Sequence, residues 1–411
     1  MTNAGRSPPC HRSRGLLLSA TLLLSLSVLA LPAQSQRARQ KVRPNPGDVA
    51  GETYVSFAFG ASAGGSVVVG KYRFPGATLA YRWSEGKMVS LGDLQGGFAA
   101  SYAFGVTPDG RVVVGKSSSE RGFEAFRWEA GEMLALGGHG ERFGSVANAV
   151  SADGKVVVGS TRTDDGTQAF RWENGEMLLL GDLPGGPLNS VAYAVSADGK
   201  VVVGKAVSAE GREAFRWENG VMTGLGDLPG GHFRSSALGV SADGGVVVGV
   251  SSGGRGTEAV RWVNGKLEGI GDLPGGNMQS LAHAVSPDGR VIVGKSNSAN
   301  GAEAFRWQDG VMTGLGDLPG GRFRSYAFGI SPDGKVIVGR SETERGLEAF
   351  RWEAGAMSRL GDLVPPEGLL ESLGTEKTRA RDQKRERLRK AIEAQRRHSP
   401  GPAPAVDAAP Q

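Results

Sequence analysis

The chain has 411 residues, a formal net charge of +5 and a single cysteine, Cys10. One cysteine excludes an internal disulfide framework and every metal motif built on paired cysteines. Glycine is abundant, at 66 residues, without the strict three-residue period of collagen, which points to short strands joined by tight turns.

The positive charge sits at the two ends. Residues 1–43 carry seven Arg/Lys and no acid, and residues 375–397 carry ten against four acids, which leaves the stretch between them slightly acidic. That stretch lacks the basic face needed for phosphate contacts, so nucleic acid is not an expected partner.

At the N-terminus, Arg6, Arg12 and Arg14 precede an uncharged apolar run, residues 15–31, followed by Pro32-Ala33. This is the order of a secretory signal peptide. It predicts removal of residues 1–33 and a solvated linker over residues 34–51. The alternative is an uncleaved anchor, because about 20 uncharged apolar residues can span a bilayer. Either outcome places the body outside the cytoplasm, secreted or in the cell envelope.

From residue 52 to 364 one unit is written seven times. Every tryptophan of the chain sits in the same motif, Trp83, Trp128, Trp172, Trp217, Trp262, Trp307 and Trp352, at spacings of 45 or 44 residues. Two other motifs keep the period: S-x-A-x-x-V-S-x-D-G-x-V-V-V-G, as at 190–204, and L-G-D-L-P-G-G, as at 225–231. Each unit reads as four strands. In the fourth, residues 190–195 alternate small and apolar residues, and Asp198-Gly199 is a tight turn. Residues 201–203 form a β-branched strand ended by Gly204. Residues 213–217 form the third strand, Asn219-Gly220 is a hairpin turn, and 221–225 form the fourth strand. Four strands in about 45 residues is the size of a propeller blade. The fold class is therefore all-β, a seven-bladed β-propeller of four-stranded antiparallel blades. The repeated Trp is expected to fill the gaps between blades, with the Val-Val-Val runs as inner strands. Two closures of the ring are open: one without a swapped strand, and one in which residues 53–57 pair with the last blade.

The spellings AFRW, then GxMxxLGDLPGG, then VSADGxVVVG resemble the HAF-repeat family, over residues 56–362. The resemblance implies an extracellular repeat protein and assigns no activity.

Motifs that suggest chemistry do not hold together. Gly60-Ala61-Ser62-Ala63-Gly64 spells G-x-S-x-G, but a strand follows where the nucleophile elbow needs a helix. Gly224-Leu225-Gly226 opens a dinucleotide fingerprint that Pro229 breaks. The histidines, His11, His139, His232, His283 and His398, show no metal-ligand spacing. Arg precedes every Trp, and Asp recurs in six of the seven L-G-D positions. Catalysis needs one asymmetric cluster, whereas a repeat supplies equivalent copies. No catalytic residue, cofactor or metal ligand is assigned.

Comparison of the seven copies does locate variation. The loop after V-V-V-G and the stretch after P-G-G change most. Variable loops on a rigid scaffold are where recognition resides. The candidate contacts are His232, Phe233, Arg234, Met278, Gln279, Arg322, Phe323 and Arg324. The function expected is an exported, non-enzymatic module binding an extracellular or envelope ligand (a glycan, peptide or protein) through its loops. The alternatives are a lyase or hydrolase with its site at the channel mouth, and a structural surface spacer.

Beyond the repeats, residues 365–398 are rich in helix formers and basic, a short charged helix able to touch an anionic surface weakly. Residues 399–411, rich in Pro and Ala, are expected to be disordered.

Overall fold

The computed structural model describes residues 54–139 and 144–362. The segments expected to be a signal peptide, a linker, a basic helix and a disordered Pro/Ala-rich end lie outside the described residues.

Among the described residues twenty-eight strands form seven four-stranded antiparallel blades, over residues 54–92, 96–137, 145–179, 191–224, 230–271, 275–314 and 325–359. In blade four the first strand, Val191–Val195, pairs with the second, Val202–Val207. The second pairs with the third, Arg212–Glu218, and the third with the fourth, Val221–Gly224. Both hairpin turns follow from local chemistry. In the first, Ser196 Oγ bonds Asp198 Oδ1 at 2.7 Å and accepts the Val201 N–H, while Asp198 accepts the Lys200 N–H. In the second, Asn219 and Gly220 both have positive φ, at 51° and 84°, the geometry of a two-residue hairpin whose twist matches its strands.

The first strands touch one another in a closed ring, the seventh blade's against the first blade's. They are therefore the innermost strands. The Val-Val-Val runs are buried but lie one strand farther out, which corrects their reading as the inner strands. The ring leaves room only for small residues where first strands meet. A Cβ on Gly329 would lie 2.5 Å from the Phe59 carbonyl oxygen, and one on Gly60 3.2 Å from that of Phe104.

Ring closure uses the same link as every other junction. The Ala349 N–H donates to Ser56 Oγ at 2.8 Å. Ala80, Ala125, Ala169, Ala214, Ala259 and Ala304 donate in the same way to Ser101, Ser145, Ser190, Ser235, Ser280 and Ser325. Tyr54 and Val55 form a parallel bridge to Gly346 and Leu347, as Arg212 does to Arg234. Among the described residues no strand is swapped, because each blade takes all four strands from one repeat.

The core is divided among the blade interfaces. Seven apolar clusters of the described residues each join two neighbouring blades, and each includes or touches one of the repeated Trp. Trp217, Trp262 and Trp307 are buried, and the other four are half-buried. Trp262 also donates its Nε1–H to the Leu225 carbonyl of the preceding blade at 2.8 Å.

Several strand boundaries differ from the sequence reading, including the third and fourth strands of blade four, which run Arg212–Glu218 and Val221–Gly224. Gly204 does not end the second strand, which continues to Val207. The glycine sits where a Cβ would lie 2.0 Å from the Val191 carbonyl oxygen, so it permits close pairing beside a bulge. The first strands of blades two, five and six are longer than expected, Gly96–Val106, Gly230–Val240 and Gly275–Val285. The stretch after P-G-G in these blades is thus strand, because its backbone pairs back onto the second strand, as Gly230 does with Gly253.

Candidate functional site: the variable face and the channel wall

Antiparallel pairing decides which loops share a face. The start of each first strand lies beside the turn between strands two and three, and the other two turns lie at the opposite end. Both variable segments therefore converge on one face. Asn297 Nδ2 donates to Asn277 Oδ1 at 2.6 Å and to Gln279 Oε1 at 3.0 Å, joining the two segments of blade six. In blade seven Arg324 Nη1 lies 3.5 Å from Glu342 Oε2. The other face carries the repeated Asp-Gly and x-Gly turns, written alike in six blades, with the Asp-Gly turn altered in blade one.

On the variable face, His232, Arg234, Gln279, Arg322 and Arg324 are exposed, whereas Phe233, Met278 and Phe323 are half-buried. The last three share a column, and their carbonyl oxygens press on Gly211, Gly256 and Gly301 of the preceding blade. The candidates thus lie at three separate blade junctions. His232 and Arg234 share a cavity, of about 360 Å³, with Arg212, Ser236, Ser252 and Thr257. Arg212 Nε is buried there without a hydrogen-bond partner, and no acid lines the cavity. Sequence reading missed Arg212, because it starts a third strand rather than a variable loop. A larger cavity, of about 610 Å³, lies between blades four and five and is lined by Arg216, Glu218, Thr223, Trp262 and Asn264. These belong to the shared columns, so we regard it as a wide interblade groove rather than a recognition site.

The channel wall is the second place where the copies differ. Each first strand has a register shift, between Ala192 and Ala194 in blade four, that leaves one residue unpaired. Around the ring this column reads Phe59, Phe104, Asn148, Tyr193, Leu238, His283 and Phe328, all half-buried. His283, Phe328, Phe59 and Phe104, from blades six, seven, one and two, form a continuous arc with ring centroids 5.1, 5.4 and 5.3 Å apart. Asn148 donates to the Ala192 carbonyl of the next blade at 2.7 Å. The pKa of His283 is pushed down to about 4, chiefly by burial within the narrow wall. The nearby Ala327 carbonyl opposes the shift, while Lys295 and Arg340 add to it. Its Nδ1 has no hydrogen-bond partner.

Toward the variable face, the same four blades carry cations interleaved with rings. Lys295 lies over Tyr326, at 5.1 Å from the centroid. Arg340 lies over Tyr326 and Phe57, at 4.6 and 4.5 Å. Lys71 lies over Phe57 and Tyr102, at 4.3 and 5.3 Å. Lys116 lies over Tyr102 and Phe123, at 4.8 and 4.9 Å. Burial lowers the pKa of Lys71, aided by repulsion from Arg340, Lys116 and Arg73. Burial alone does so for Lys116. In the corresponding column blade four has Lys205, over Tyr193 at 5.9 Å, but blade three has Ser160 and blade five Val250, so the continuous belt spans blades six, seven, one and two.

The remaining motifs are structural in place. Ser62 of the G-x-S-x-G spelling is fully buried and accepts the Val67 N–H at 2.9 Å. It precedes a single 3-10 turn, Ala63–Gly65, that replaces the Asp-Gly turn of the other blades. Arg127 and Arg171, each before a Trp, donate to Gly154 and Gly199 in the next blade. They also pair with Glu129 and Glu173 at 2.8 and 2.9 Å. Asp182 accepts the Leu183 and Val207 N–H groups and so fastens the crossing between blades. Among the described residues no group of His, Cys, Asp or Glu is placed to hold a metal ion, and no helix is long and apolar enough to cross a membrane.

No protein-family model matches the chain, and no curated protein matches it. Its fold is similar to that of the β-propeller domain of the trilobed protease from Pyrococcus furiosus, described as having an open velcro topology. That likeness has a TM-score of 0.51 and 12% identity, and covers 77% of this chain and 100% of that one. An acylaminoacyl peptidase in complex with a peptidyl chloromethyl ketone gives a TM-score of 0.52 at 12% identity, over 78% of this chain and 54% of that one. TolB from Acinetobacter baumannii gives 0.42 at 12% identity, over 62% of this chain; the match spans 61% of that chain's length. The first two likenesses establish the propeller fold and nothing finer. None of the three is described as a HAF-repeat protein.

Proposed function

We propose that this chain is an exported, non-enzymatic binding propeller whose ligand docks on the variable face. The observation that carries the reading is the convergence of both variable segments of each repeat on one end, while the other end repeats the same turns. Rigid blades held by the Trp clusters would present these segments without rearrangement, which limits the ordering cost of binding. The acid-free cavity of Arg212, His232 and Arg234 suits an anionic group on the ligand, whether glycan, peptide or protein, because charged donors favour such acceptors. Export rests on the order of residues in 1–33.

The test pairs two measurements on each variant, melting temperature and retention on native cell-envelope material. Phe233→Ala, Phe323→Ala and the double variant Arg212→Ala/Arg234→Ala are expected to lose retention; because Phe233 and Phe323 are half-buried, their Ala variants should melt somewhat lower yet stay folded at the assay temperature. Parent-like retention by all three would replace this reading with a structural spacer.

A further inference from the structure

The cation–aromatic belt in the channel differs from a repeat feature in three ways. It runs unbroken through four consecutive blades, and Ser160 and Val250 separate it from the lone Lys205 of blade four, which lies over Tyr193 at 5.9 Å. It carries no acid of its own: Lys295, Arg340, Lys71 and Lys116 enter none of the ion pairs formed among the described residues. Each cation instead rests on ring faces. Neighbouring cations share a ring, Tyr326, Phe57 or Tyr102, so consecutive positive charges are close enough to repel. A run of like charges held half-buried is unfavourable for the protein alone, and a bound anion would relieve it. One carboxylate would neutralise one cation, so the belt calls for a ligand bearing several.

The wall below the belt narrows the chemistry further. The arc of His283, Phe328, Phe59 and Phe104 is apolar apart from the unpartnered His283 Nδ1. Sugar hydroxyls placed there would lose water without gaining partners, whereas apolar side chains would be well accommodated. The belt also reaches the surface. Phe123 contacts Phe98 edge-on at 5.6 Å, and Phe98, near the start of blade two's first strand, is 62% exposed.

We propose that the belt is a docking site for an acidic peptide segment that enters the channel from the variable face. Its carboxylates pair with Lys295, Arg340, Lys71 and Lys116, and its apolar side chains lie against Phe328, Phe59 and Phe104. This site is distinct from the cavity of Arg212, His232 and Arg234, and does not depend on it.

The test is fluorescence anisotropy of the full chain with a fluorescein-labelled peptide of alternating Glu and Phe. A Gln/Phe peptide of equal length and a labelled oligogalacturonate serve as comparisons. The acidic peptide is expected to bind, more weakly as salt is raised, and at least about tenfold more tightly than the Gln/Phe peptide. Lys71→Gln/Arg340→Gln is expected to weaken it by about tenfold or more, with melting checked separately. Lys155→Gln/Lys200→Gln, which removes lysines paired with Asp153 and Asp198 on the opposite face, is expected to leave it unchanged. Three results would overturn the proposal: no binding of the acidic peptide, equal binding of the Gln/Phe peptide, or parent-like binding by the belt variant. Tighter binding of the oligogalacturonate would overturn the assignment to peptide. None of these readouts involves retention on envelope material, so failure here leaves the variable-face reading standing, and the reverse also holds.

Discussion

Single residues carry both the economy of the repeat and its exceptions. The hairpin turn between strands three and four needs positive φ at two positions. Asn174, Asn219 and Asn264 meet the first requirement well, but Glu85, Ala130 and Ala354 hold φ of 52°, 52° and 49° there. Residues other than Gly, Asn and Asp are strained in this region, so Ala130→Asn and Ala354→Asn should each stabilise the protein by about 0.5–1 kcal/mol, read by urea unfolding. His283 is the contrary case. Its folded pKa of about 4 lies below the ordinary histidine value of 6.5, so burial of the neutral ring opposes protonation. Its contribution is fully present above about pH 6.5 and is lost as pH falls toward 4. His283→Phe, which copies the residue of Phe59, Phe104 and Phe328, should flatten the fall in stability across that window; an unchanged pH profile would refute the assignment. The turns were legible in the sequence because Asp-Gly and Asn-Gly state their own geometry. The channel column was not, because the bulge shifts the strand by one residue and breaks the alternation by which a face is read.

At the scale of elements, the Trp period announces four-stranded blades and interblade packing, and the structure assigns each Trp to one interface. Its weight differs between blades. Trp262 is 1% exposed and hydrogen-bonded to Leu225, whereas Trp128 is half-buried. Trp262→Ala should therefore cost about 3–5 kcal/mol through the cavity it leaves, and Trp128→Ala measurably less; equal losses would contradict the burial argument. The junction of blades seven and one repeats the link found elsewhere, with Ser56 holding Ala349 and no swapped strand. A circular permutant opened between residues 185 and 186, with the ends near 54 and 362 joined by a flexible linker, should fold with nearly the parent melting temperature. A permutant that fails to fold would show that the seam holds a special contact. Strand order within a blade was legible from hydrophobic pattern and turn residues. The added length of Gly230–Val240 and Gly275–Val285 was not, because polar residues such as His232 and Asn277 read as loop when their pairing partners lie outside the local window.

For the whole molecule, the repeat count fixes the number of blades, and antiparallel connectivity then fixes which loops share a face. That second step is open to sequence reasoning once the blade is known, and it joins His232 and Arg234 to one end of the ring. What could not be read was the meeting of residues from different repeats, such as Arg212 with Arg234, or Lys71 with Tyr102. These depend on blade twist and spacing rather than on motif. Variation confined to one end of a rigid ring is the central argument for a binding role, since the opposite end carries the same turns and the same Ser–Asp bonds in blade after blade. The most direct test is amide hydrogen exchange of the full chain, free and bound to native cell-envelope material. Slowed exchange is expected in residues 230–236, 249–257 and 275–281, with residues 197–199, 242–244 and 287–289 unchanged. Protection confined to those three turns on the opposite face would contradict it.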